Sequence, residues 1–181
     1  MNGRERILTA ANQMFGVRPF QEVSVAPLIA AAEVQAPTLY HHFGDKEGLY
    51  VAWAHGAFLR LGSALAAPQA RSVLEGLTAF ATMFYNATDF DVAQVVRDVE
   101  SLERPSSREE VFNLYFQAVY EPLCAILLAG IESGELNAEP IGRLADVFLA
   151  SMHALKGKGE DSHSTASWLA QRFLTGHRAK G

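Results

Sequence analysis

The chain has 181 residues, 49% of them hydrophobic, with a formal net charge of −5 and a single cysteine, Cys124. That length buries a sizeable core and leaves room for one large or two small domains. The negative balance excludes a protein that coats nucleic acid by charge alone, and one thiol excludes both an internal disulfide and a zinc cluster. No uninterrupted apolar run reaches eighteen residues, and the opening MNGRERILTAANQMF carries charges where a signal peptide is apolar, so a soluble cytoplasmic protein is expected.

Apolar residues recur at helical spacing almost everywhere, without alternating β-branched runs, so the expected fold is all-α with about nine helices. Asn2 and Glu5 form a capping box for the first helix, whose stripe is Ile7, Leu8, Ala11, Met14 and Phe15 and which Gly16 ends. Ser24 is placed to cap a second, short helix with Pro27 in its first turn and Val25, Leu28, Ile29 and Ala32 as its stripe. Residues 35–43 make a third, again with a proline, Pro37, in the opening turn. Asp45 then caps a fourth that runs through Leu49, Trp53, Phe58 and Leu61 towards Pro68. Five more follow at roughly 71–86, 91–103, 107–133, 139–156 and 162–175, punctuated by Pro105, Gly134 and the Gly/Lys stretch 156–159. Inside the seventh, Pro122 should kink the helix or free a carbonyl near residue 118.

The second and third helices, joined by a tight turn and preceded by a packing helix, make a helix-turn-helix. In that arrangement the second member enters the major groove of DNA with its N-terminal residues at the base edges. Gln35, Ala36, Pro37 and Thr38 are small or polar at the exposed end, while Leu39 and Phe43, four apart, lock the helix to a core of Phe15, Val23, Val25, Leu28, Ile29 and Val34. Thr38 and Tyr40 carry hydroxyls suited to phosphate oxygens, and Lys46 adds a cation in the first turn of the next helix. Ser24, ahead of the second helix, joins the candidate DNA-facing residues.

The block SVAPLIAAAEVQAPTLYHHFGDKEGL resembles the helix-turn-helix signature of the tetracycline-repressor (TetR) family of transcriptional regulators. The resemblance covers about a quarter of the chain directly. It implies a homodimer with a three-helix DNA-binding head over residues 1–46, and a ligand-binding and dimerisation domain over residues 47–181 that pairs through its last two helices. It further implies a repressor released from a palindromic operator by a small molecule. Carried over position by position, Thr38, Tyr40 and Lys46 match phosphate contacts, while Gln35, Ala36, Pro37 and His41 occupy the base-facing part of the recognition helix. Glu33 stands where the family usually has a turn glycine, and Pro37 replaces a frequent glycine. Residues 1–52 hold four bases (Arg4, Arg6, Arg18, Lys46) against five acids (Glu5, Glu22, Glu33, Asp45, Glu47). Modest DNA affinity with a reduced salt-dependent component is therefore expected.

The second half is rich in large apolar residues. His55, Phe58, Phe80, Phe84, Asn86, Phe112, Tyr115, Phe116, Tyr120, Phe148 and Met152 are the candidate lining of a cavity for an apolar or aromatic effector; the alternative for each is ordinary core. The last two helices carry wide apolar faces, with Leu144, Phe148, Leu155, Trp168 and Phe173 as candidate dimer contacts. His41 and His42 point in different directions on a helix and have no carboxylate or thiol at i+4, so neither a metal nor a cofactor is expected; His42 is assigned to packing inside the head and His41 to the outer face. No nucleophile elbow, H-E-x-x-H, phosphate-cradling glycine loop or CxxC is present, which argues against an enzyme. A ligand-binding module of the same fold with weak or lost DNA binding remains the alternative to a repressor.

Overall fold

The computed structural model describes residues 2–66, 70–158 and 161–177, and the regular elements among them are helical. The chain forms two compact units. One is built from residues up to Arg60 with Thr88–Tyr115, the other from Leu61–Ala87 with the chain from Phe116 onwards.

In the first unit, α1 (Gly3–Phe15) starts with the expected capping box: the Asn2 side chain accepts from the Glu5 N–H at 2.9 Å, and the Glu5 carboxylate accepts from the Asn2 N–H at 2.9 Å. Ile7, Ala10, Ala11 and Phe15 form its buried stripe. Ser24 takes the cap position of α2 (Val25–Ala31) in an extended conformation, but its hydroxyl makes no capping bond, contrary to expectation. Pro27 in the first turn needs no N–H partner there, which suits the start of a helix. The turn that follows is strained, because Glu33 adopts φ 51. A residue with a Cβ pays about 1 kcal/mol or more in that left-handed region. Its carboxylate lies 3.9 Å from Arg6, an exposed pair of small worth. Glu33→Gly should therefore raise the thermal midpoint by about 2–4 °C, measured by circular dichroism.

Helix α3 (Ala36–Phe43) carries Pro37 in its first turn and ends at Gly44, whose φ of 78 turns the chain sharply. Asp45 then caps α4 (Lys46–Leu65) as expected, its Oδ1 accepting from the Gly48 N–H at 2.7 Å. Rings join these elements: Phe15 lies 5.0 Å from Tyr50 and 5.6 Å from Trp53, Phe20 lies 5.0 Å from Tyr50, and Trp53 lies 5.8 Å from Phe90. Phe90 leads into α6 (Val92–Asp98), which Asp91 caps through the Gln94 N–H at 3.0 Å; α7 (Pro105–Tyr115) completes the unit.

The second unit packs α5 (Val73–Ala87), α8 (Glu121–Glu132), α9 (Ile141–Leu155) and α10 (Ser162–His177) against one another. Leu77, Phe80, Phe84, Leu123, Leu127, Leu144, Phe148, Met152 and Phe173 make its core, with Phe148 and Phe173 meeting edge-on at 5.1 Å. Each such side chain stabilises the fold by about 1.5–3 kcal/mol on burial. The stretch expected as one helix near 107–133 widens into a π-turn at Phe116–Tyr120 just before Pro122. Pro122 has no N–H for the residue 118 carbonyl, and the wider turn accommodates that gap. Residues 105–132, taken together, are long enough to cross a membrane, with a mean hydropathy of 1.5 in their most apolar window. Within the second unit, Val119, Leu123 and Leu127 of this stretch are fully buried, as in a core helix.

Candidate DNA-binding surface

Helix α3 is held by few contacts. Leu39 is its one buried side chain, fully enclosed. Thr38 is half-buried, with its methyl so near α1 that a Cβ on Gly3 would come within 3.2 Å. The Arg4 guanidinium sits over the Phe43 ring at 5.6 Å. With that side against α1, Gln35, Pro37, Tyr40 and His41 are exposed, Ala36 is half-buried, and Ser24 is exposed at the start of α2. His42 is also exposed, contrary to its expected place inside the head; its ring meets His41 edge-on at 5.2 Å and Phe43 at 6.1 Å. His42 falls in the last turn of α3, almost one turn beyond Leu39, so a direction close to that of Leu39 does not by itself bury it. Among the described residues no three His, Cys, Asp or Glu side chains gather as a metal site.

The residues that follow α3 are bound inward. Lys46 donates to the Phe20 carbonyl at 3.0 Å and lies 4.1 Å above the Phe20 ring. Burial lowers its pKa, against the opposing pull of Asp98 and Glu103. The amide of the same residue is held too, since the Phe20 N–H donates to Asp98 Oδ2 at 3.0 Å; the Tyr50 hydroxyl donates to that oxygen at 3.1 Å. Burial first, and then the Asp98 carboxylate, push the Tyr50 phenol far above its ordinary value, so it remains a donor. An ammonium expected to face phosphate is thus engaged by the turn between α1 and α2.

Asp45 and Glu47 meet one guanidinium. Arg104 donates through Nη1 and Nη2 to the two Asp45 oxygens at 2.7 and 3.1 Å, and through Nε to Glu47 Oε1 at 3.1 Å. Glu47, buried, also accepts from the N–H groups of Glu103 at 2.8 Å and Arg104 at 3.1 Å. Burial would raise both carboxyls, but the bonds to Arg104 and Gly48 for Asp45, and to Ser107 and the two amides for Glu47, outweigh it and hold both below their ordinary values. Depressed carboxyls stabilise the folded state above their unfolded pKa and lose that contribution as pH falls through the folded one. Stability should therefore fall as pH drops below about 4, and Arg104→Gln should make that fall shallower, as read from unfolding midpoints across pH. No local pattern pairs Arg104 with Asp45 and Glu47, or Asp98 with Phe20 and Tyr50, because those partners lie 48–78 residues away.

The candidate effector residues separate between the units. In the first, Phe58 is buried 5.4 Å from Phe90 and 6.3 Å from Tyr115, while His55 and Phe112 are exposed. In the second, Phe80, Phe84, Phe148 and Met152 are core, Asn86 is exposed, and Phe116 stacks on Tyr120 at 5.2 Å. The Tyr120 hydroxyl donates to the Gly142 carbonyl at 3.3 Å. The second unit also has a groove of about 540 Å³ between α5 and α8, with Val73, Gly76, Ala79, Pro122, Ala125, Ile126 and Ala129 as walls and Arg71, Ser72, Ser133 and Glu135 as polar groups. None of the aromatic candidates lines it: large side chains fill the space they border, whereas small ones leave it open. Of the candidate dimer contacts, Leu144, Phe148 and Phe173 are buried within the chain's own core, Leu155 is half-buried, and Trp168 is 53% exposed. Burial, with Asp146 and Glu121 adding to it, pushes the Cys124 thiol up, away from the reactive thiolate.

A short α2, a strained turn and an α3 with an open outer face define the class as a helix-turn-helix protein. Residues 7–53 match the model of bacterial regulatory proteins of the tetR family. No curated protein sequence matches the chain. Among solved structures, a bacterial regulatory protein of the tetR family from Rhodococcus RHA1 aligns over 100% of both chains with a TM-score of 0.80 at 15% identity. The TetR family transcriptional regulator PfmR from Thermus thermophilus aligns over 94% of this chain and 97% of its own, with a TM-score of 0.70 at 22% identity. The fatty acid degradation regulator FadR from Bacillus halodurans gives 0.72 at 17% identity over 96% and 99%. The N-terminal segment is thus similar to the tetR family of bacterial regulatory proteins, and the whole chain shares the fold of these solved structures.

Proposed function

We propose that the chain is a cytoplasmic, ligand-responsive transcriptional repressor that binds a palindromic operator as a homodimer and is released by a small apolar effector. The observation that carries this reading is the open face of α3, where Gln35, Pro37, Tyr40 and His41 stand exposed on a helix anchored from behind by Leu39. Gln35, Ala36, Pro37 and His41 meet base edges; Ser24, Thr38 and Tyr40 meet phosphates. Lys46 supports that surface from within through Phe20 rather than by reaching outward.

Effector binding belongs to the second unit. A groove of about 540 Å³ with apolar walls and a few polar groups has the size and make-up of a small-molecule site. Trp168 on α10, with Val147, Ala150 and Ala154 exposed at helical spacing on α9, forms the face a second copy covers. An effector that binds the non-DNA-binding arrangement more tightly lowers operator affinity by that preference and no more. The test is a mobility-shift titration, at several salt concentrations, on the DNA flanking the chain's own gene and on duplexes selected from a random library. Specific binding supports the reading; its absence at every salt concentration overturns it and favours a ligand-binding module of the same fold.

A further inference from the structure

Asp45, Lys46 and Glu47, which follow the recognition helix and Gly44, are each engaged from the rear, and we infer that Arg104 is a positioning residue for the DNA-binding surface: through Asp45 and Glu47 it sets the direction in which α3 meets α4. The inference rests on the DNA-binding reading of α3.

An eight-residue helix with one fully buried side chain does little to set its own orientation. Its C-terminal end passes through Gly44 straight into Asp45, so whatever holds residues 45–47 also holds the end of α3. Arg104 engages both Asp45 oxygens and one Glu47 oxygen, and two backbone amides of its own segment complete Glu47. The same Asp45 carboxylate caps α4 at Gly48, so one group joins the guanidinium to the first turn of the connector. A planar guanidinium with five donors satisfies two carboxylates at fixed angles, which an ammonium does not. An exposed ion pair alone would carry little. Here the clamp is anchored on the buried Glu47, whose amide partners define where Arg104 must lie. Three of its five N–H donors are directed at carboxylates, which favours positioning over direct phosphate contact.

The test compares wild type with Arg104→Gln and Arg104→Lys, the latter keeping the charge should the former fail to fold. The probes are a duplex selected on the wild-type chain from a random library and an unrelated duplex of equal length; hydrogen exchange of the α3 amides is followed without DNA. For Arg104→Gln, affinity for the selected duplex should fall about tenfold. Its affinity for the unrelated duplex and the slope of log K against log salt should stay at wild-type values, and the α3 amides should exchange faster. Arg104→Lys should show a smaller change in the same direction. Unchanged affinity together with unchanged exchange overturns the proposal. So does a loss shared by both duplexes with a salt slope reduced by about one, which marks Arg104 as a phosphate contact. Should the wild-type chain select no duplex, the DNA-binding reading fails by itself, and exchange alone decides: faster α3 exchange in a folded Arg104 variant supports the clamp, and unchanged exchange overturns it.

Discussion

Asp98→Ala should destabilise the first unit by about 3–5 kcal/mol, measured as a shift in the urea midpoint at an unchanged slope. Asp98 is 3% exposed and accepts three hydrogen bonds from three places in the unit: the Phe20 N–H, the Tyr50 hydroxyl and, at 2.8 Å, the Gln94 side-chain amide. Alanine leaves the first two donors buried without an acceptor, and each orphaned group costs about 1–3 kcal/mol. It also removes the anion that offsets the burial of the Lys46 ammonium. Asp98→Asn keeps one acceptor oxygen and should lose about half as much, so the difference between the two variants isolates the lost acceptors. A loss below about 1 kcal/mol for the alanine variant would show that water replaces the carboxylate, and Asp98 would then be no keystone.

The fold was legible wherever a signal is local. Asn2 and Glu5 are three apart and cap each other; Asp45 caps α4 by accepting from the Gly48 N–H; Pro37 marks the first turn of α3. Pro122 announced a break whose form, a π-turn rather than a bend, follows from how the surrounding core accommodates the missing donor. Even the strain at Glu33 was foreseeable, because the turn demands a left-handed residue whatever occupies it.

What stayed hidden is pairing across distance. Asp45 reads as a cap and Lys46 as a phosphate-facing cation, yet the partners that turn residues 45–47 inward, Arg104, Phe20, and the amides of residues 103 and 104, come from elsewhere in the chain. Ser24 has the right identity and position for a cap but its hydroxyl makes no such bond, since identity does not fix a rotamer. Aromatic stripes signal burial without saying whether they enclose a void, and the groove in the second unit is walled by alanines, a glycine and a proline that carry no pattern.

On the proposed homodimer, His41→Ala should cost about 2–6 kcal/mol of affinity for the selected duplex, because a base contact is worth about 1–3 kcal/mol and each of two heads would lose one. Affinity for unrelated DNA should hardly change. Tyr40→Ala should instead weaken every duplex alike, since a phosphate contact carries no sequence information. The salt dependence of the wild-type chain should be shallow for a related reason. Of the four cations in residues 1–52, Lys46 is bound to the Phe20 carbonyl, while Arg6 lies 3.9 Å from Glu33 in an exposed pair of small worth, so Arg4, Arg6 and Arg18 remain in each head. Two heads then neutralise at most about six phosphates, and log K should fall against log salt with a slope no steeper than about −5. A mobility-shift series over salt measures both quantities. A steep slope would mean that Lys46 leaves the Phe20 carbonyl and turns outward on DNA, which a slope made shallower by about one per head in Lys46→Ala would report. A shallow slope with His41→Ala indistinguishable from wild type would move base readout to Gln35 and Pro37 at the start of α3.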